Sequence, residues 1–204
     1  MRTLTVFLFA TTFVLGGCGG GKEASKGEIG KEPVKTSGKK GDWVSDDRTY
    51  IVEDGRMKFR VMSDNEPDLS FAAKGLDGQA YGALVRAVKV RAGLEFDEAV
   101  KGSKYNPNSI GQARQEVINA IGDVHFSDLV KEREYWEQFE KNEGMGRISY
   151  VHTIYGLYSI SEKELVRAKE EAWDKASEVV TMEADKDAQT LLNESRSRFL
   201  GIQQ

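Results

Sequence analysis

The longest apolar run lies at the start of the chain. From Leu4 to Leu15 the residues are apolar apart from Thr5, Thr11 and Thr12, with one positive charge ahead of them at Arg2. A membrane-spanning helix needs about 20 apolar residues, so this run is too short to cross a bilayer. It has the charged start, apolar middle and small-residue end of an export signal. Residues 19–41 follow with only Ala24, Ile29 and Val34 as apolar side chains, a pattern that predicts a flexible spacer.

Beyond the spacer the pattern becomes periodic. Thr49 to Val52 and Met57 to Val61 flank Asp54-Gly55, the signature of a two-residue hairpin. The implied register sets Glu53 opposite Arg56, Val52 opposite Met57 and Tyr50 opposite Phe59. It gathers Tyr50, Val52, Met57, Phe59 and Val61 on one face and leaves Lys58 and Arg60 on the other. Helical spacing of Ala80, Ala83, Leu84, Ala87 and Val88 predicts a helix from Gly78 to Arg91, with Asp77 as N-cap and Gly93 near its exit. A second helix is predicted from Asn108 to Ile121, stopped by Gly122. A second hairpin is expected between about Asp128–Lys141 and Arg147–Ile160, joined by Asn142-Glu143-Gly144-Met145-Gly146. Its later strand is apolar on both sides, which predicts a central or covered position.

Ser161 to Glu164 forms a capping box, and Ile160 can staple onto Leu165. No Gly or Pro occurs from Glu162 to Leu200, enough for a helix of about 58 Å at ~1.5 Å per residue. Leu165, Ala168, Ala172, Ala176 and Val179 form one stripe. Ala184, Ala188, Leu191, Leu192 and Phe199 form another beyond the charged patch 183–187. Either the helix breaks at that patch, or its end projects to meet a partner. The expected fold is α+β: a small antiparallel sheet of two hairpins packed with two short helices and a long C-terminal helix.

Charge sharpens the division. Residues 19–41 carry six Lys against three Glu, a net +3 that can favour anionic headgroups, whereas residues 42–204 hold 22 basic and 30 acidic residues. A body with net charge −8 argues against nucleic acid as a partner.

Cys18 is the only cysteine, so it has no intrachain disulfide partner and no thiol cluster for a metal. Gly16, Gly21 and Lys22 match the spacing of a phosphate-binding loop. Glu23 stands where that loop needs Ser or Thr, however, and neither strand nor helix flanks it. What remains is an attachment point. Leu15-Gly16-Gly17-Cys18 resembles the lipobox of bacterial lipoproteins. The resemblance implies cleavage before Cys18, a diacylglycerol thioether on its sulfur and an acyl chain such as palmitate on its new amino group. Several acyl chains at ~0.8 kcal/mol per methylene give durable attachment. The division would then be residues 1–17 as signal peptide, 18–41 as lipidated cysteine and tether, and 42–204 as one α+β domain with a helical extension from about residue 180. Gly19, rather than Asp, after the cysteine resembles the pattern of lipoproteins that leave the inner membrane, so the expected location is the outer membrane, facing the periplasm.

The segments AYGALVRAVKVRA (80–92), REYWEQFEK (133–141) and YVHTIYGLYSISEKELVRAKEEA (150–172) resemble the LPP20-like family of bacterial outer-membrane lipoproteins. The resemblance implies a small periplasm-facing α+β domain, in some relatives linked to the flagellar outer-membrane apparatus. It carries over no catalytic residue.

A search for chemistry along the body finds little that converges. His125 and His152 are the two histidines, and both read as packing residues. Glu132, Glu134 and Glu140 would share a strand face with Trp136, but the interleaved Lys131, Arg133 and Lys141 suggest a solvated surface. Ser159 and Ser161 have no base nearby in sequence. Tyr135, Trp136, Tyr150, Tyr155 and Tyr158 can stabilise a sheet through cross-strand pairs or line a ligand groove. Trp43 follows the tether and, if exposed, can touch a membrane or a partner. The sequence therefore predicts no catalytic centre, cofactor or metal. Its preferred role is an accessory or scaffold protein that binds an envelope partner, or itself, through the C-terminal helix. The alternative is a periplasmic small-molecule or glycan-binding lipoprotein.

Overall fold

The computed structural model describes residues 27–182 and 185–201. Its fold is α+β, with a five-stranded antiparallel sheet and four helices. In chain order the strands are β1 (Lys35–Thr36), β2 (Ile51–Glu53), β3 (Arg56–Glu66), β4 (Val130–Gly144) and β5 (Arg147–Ser161), arranged β1-β4-β5-β3-β2. The helices are α1 (Leu69–Ala99), α2 (Pro107–Ile121), α3 (Glu162–Met182) and α4 (Lys186–Leu200).

The first hairpin has the expected register: Glu53 pairs with Arg56 and Val52 with Met57. Asp54 and Gly55 both take positive φ, as a type I′ turn requires. Met57, Phe59 and Val61 are buried, while Val52 is exposed because β2 lies at the sheet's outer edge. β5 is central, paired with β4 along nearly its whole length and with β3 from His152 to Ser161. The second hairpin turns on two residues, Met145 and Gly146, rather than on five.

α1 is the largest departure from the expected short helix. It begins at Leu69, nine residues earlier than the Asp77 cap would allow, because the Asp68 carboxylate accepts from the backbone N–H groups of Ser70 and Phe71. Asp77 lies inside the helix instead, where it accepts from Tyr158 Oη and from Lys131 Nζ. Gly93, expected near the exit, is a buried interior residue. The first half of α1 lies on β3 and β5, where Leu76 packs over Gly156. A Cβ at that glycine would stand 2.9 Å from Leu76 Cδ2 and 2.5 Å from Tyr158 Cε2. The second half runs on past the sheet into a cluster with α2, α3 and α4. α2 matches its expected span, extended by Pro107 and capped by Asn106.

The C-terminal region takes the first of its two sequence options. α3 ends at Met182, and Asp185 caps a new helix by accepting from Ala188 N. α4 folds back against α1, α2 and α3. Ala188, Leu191, Leu192 and Phe199 are buried, with the Phe199 ring 4.6 Å from Trp173 and 6.5 Å from Phe96. The two helices close one core, and Ala188, Leu191, Leu192 and Phe199 of the second stripe are covered by the molecule itself, while Ala184 lies outside the described residues.

Residues 27–41, expected to be spacer, are laid on the body. Gly27, Gly30 and Val34 donate backbone N–H bonds to Asn142, Glu140 and Gln138, so the segment lengthens the sheet beyond β4. Hydropathy missed this because an edge pairing is made by backbone groups and needs no apolar side chain. The chain then crosses the sheet face opposite the helices. There Lys40 meets Glu137 at 3.1 Å, and the Val44 carbonyl accepts from Arg60. Val44 is buried and Trp43 half-buried, so Trp43 is part of this strap rather than a free anchor.

Candidate functional site

The proposed attachment residues Leu15, Gly16, Gly17 and Cys18 lie outside the described residues. The fold does fix where the chain leaves them. Nine residues after Cys18, Gly27 N donates to Asn142 O at 2.7 Å, beside the end of the β4–β5 hairpin. That end stands clear of the helices: Met145 is 98% exposed, Ile148 59% and Tyr150 48%. Between strand and hairpin, Ile29, Gly30, Asn142 and Ile148 border a shallow depression of about 380 Å³.

The two histidines lie on different elements and have different neighbours. His125 is exposed after α2, with its ring 6.4 Å from Tyr81, and its carbonyl accepts from Arg167. His152 lies on β5, edge-on to Trp136 at 6.3 Å, and its Nε2 accepts from the Gln138 amide nitrogen at 3.1 Å. Among the described residues neither histidine is hydrogen-bonded to a carboxylate. Among the described residues no group of His, Cys, Asp or Glu has the geometry of a metal site.

The strand carboxylates serve the fold. A bulge between Lys131 and Arg133 takes Glu132 out of the expected row, and Glu132 faces Arg56 and Lys58 at 3.8 Å. Glu134 pairs with Lys131 at 3.0 Å. Among the described residues the buried acids are Glu137 and Glu164. Glu137 sits on the strapped face among Lys40, Tyr135 and Tyr155. Burial, and then the Glu137 charge, push both phenols upward. Glu164 accepts from Arg167 and from the backbone and side chain of Ser127. The Arg167 hydrogen bonds, with help from Ser127, pull its carboxyl down to about 2 against the opposing effect of burial. The expected box forms on one side only: Ser161 Oγ accepts from Glu164 N, but Ser161 N donates to Asp128. On the helix side, burial and the Asp77 carboxylate hold Tyr158 well above the ordinary phenol range. Its hydroxyl is the main cause lowering Asp77.

The aromatic residues do not share a wall. Tyr135 and Tyr155 pair at 6.2 Å on the strapped face, Trp136 and Tyr158 lie on the helix face, and Tyr150 is at the free hairpin end. Their dispersal removes the geometric basis for one aromatic groove. Sequence reading missed the hairpin end itself; the available signal was Met145-Gly146 where such a turn takes Asn-Gly or Asp-Gly.

Comparison of the sequence with family models and with curated proteins, and of the fold with solved structures, finds no match.

Proposed function

We propose that this chain is a lipid-anchored protein of a diderm cell envelope, held through Cys18 and acting as a non-enzymatic accessory or scaffold. The observation that carries the reading is the short apolar leader ending in Leu15-Gly16-Gly17-Cys18, with no other cysteine in the chain. Three features support it. The body's acids and bases are engaged in ion pairs that tie elements together, as in Arg91–Glu162 and Lys169–Glu95. Gly27, nine residues after Cys18, is hydrogen-bonded to Asn142 of the body. The segments that resemble LPP20-like lipoproteins point the same way, and Gly19 favours the outer membrane, periplasmic side. Because the α4 stripe is internal, the envelope partner in this reading meets the remaining surface rather than that helix.

Cell fractionation tests the anchor. The wild-type chain should sediment with membranes and resist alkaline wash, and Cys18→Ser should lose that resistance. The same behaviour in both would contradict the anchor. In-cell crosslinking of the full chain should trap a defined envelope protein; a strictly uncrosslinked monomer would contradict the scaffold role.

A further inference from the structure

We propose that the end of the β4–β5 hairpin, centred on Met145, Ile148 and Tyr150, seats on the surface of the same bilayer that holds the Cys18 lipid. The proposal rests on the lipid-anchor reading above.

Reach is the first argument. Gly27 is nine residue steps from Cys18, a span of at most about 32 Å when fully extended. Gly27 is hydrogen-bonded to Asn142, three residues before Met145, and Ile29 bridges Lys141. β4 and β5 are each 15 residues long, about 50 Å as extended strands, and the helix cluster lies past their opposite end. The lipid is therefore tied to the hairpin end, and the helical end stands away from it.

Residue choice is the second argument. Met145 has φ 52 and Gly146 φ 72. A two-residue turn of this type favours Asn or Asp at the first position, because a left-handed conformation is unfavourable for a long side chain. The fold gains nothing from methionine there, since its side chain is 98% exposed. A flexible apolar side chain at a hairpin tip is suited to acyl chains. Ile148 and Tyr150 continue the exposed apolar row along β5, where the helices no longer cover the sheet. A tyrosine further from the tip suits the headgroup layer, with its ring apolar and its hydroxyl wet. Among the described residues flanking the tip, 27–31 and 140–150, Lys31, Lys141 and Arg147 balance Glu28, Glu140 and Glu143. The contact is accordingly apolar and does not require anionic lipid.

The test uses the full lipidated chain reconstituted into phosphatidylcholine vesicles, with an environment-sensitive fluorophore on a single introduced thiol. Met145→Cys and Ile148→Cys report on the tip, and Lys101→Cys, exposed beyond α1 at the helical end, is the control. Emission at positions 145 and 148 should shift to the blue on reconstitution, and a bilayer-embedded nitroxide should quench it severalfold more than at 101. Equal quenching at all three positions, on protein whose mass includes the lipid, would overturn the hairpin contact alone. A blue shift without lipid quenching would do the same, by assigning the tip to a protein neighbour or a second copy. Labelling at Cys18 itself, with no lipid in the mass, would remove the anchor and the proposal together.

Discussion

Met145 shows how one residue can work against its own turn. Replacing it with Asn, which tolerates the left-handed region, should stabilise the folded chain by up to about 1 kcal/mol. The same change should weaken lipid quenching next to the tip; a chemical denaturation curve and the vesicle assay read the two effects. Gly156 marks the opposite constraint, a close approach. Gly156→Ala places a methyl against Leu76 and Tyr158 and should destabilise by roughly 1–3 kcal/mol, measurable as a lower denaturation midpoint. Glu164 sets an acid limit. Its folded carboxyl is lowered to about 2 by Arg167 and Ser127, so its contribution is present above the unfolded value near 4.5 and is lost as pH falls towards 2. Glu164→Gln should cost roughly 1–3 kcal/mol near neutral pH and flatten the acid limb of the stability profile over that window. An unchanged acid limb would show that this carboxylate is not the responsible group.

At the scale of elements, what was legible in the sequence depended on side-chain periodicity. The Asp54-Gly55 hairpin, α2 and the apolar β5 were readable because their alternation or helical spacing is set by burial. The start of α1 was not, because Asp77-Gly78 looks like a boundary. Its true cap, Asp68, is followed by Ala72, Leu76 and Ala80, spaced one turn apart but thin in apolar bulk. Residues 27–36 were misread because their attachment to β4 is a backbone ladder, and the candidate hairpin end because its signal is an exception to a turn rule. The break between α3 and α4 was one of two sequence options, and core closure decided it: Phe96, Trp173 and Phe199 complete one aromatic cluster only if α4 returns. Ending the chain after Met182 should therefore leave an insoluble or non-cooperative product rather than a folded body lacking an appendage. Phe199→Ala should cost about 3–5 kcal/mol in thermal or denaturant unfolding. A truncated chain that melts like the whole one would contradict this packing.

The whole molecule has two unlike ends: an apolar hairpin beside the incoming N-terminal segment, and, beyond the far end of the sheet, a cluster of the second half of α1 with α2, α3 and α4. The acidic balance of residues 42–204 covers a body that needs no transmembrane helix to remain at a membrane, provided that one end is covalently held. The proposed hairpin contact and the proposed envelope role both depend on a lipid at Cys18. Intact-mass and peptide mass spectrometry of protein extracted from membranes is the most direct measurement. The account predicts a product of 187 residues beginning at Cys18, heavier than its polypeptide mass by a diacylglyceryl group and an amide-linked acyl chain. A product that retains Met1 and the apolar leader, or one with a free Cys18 thiol and no added mass, would contradict it.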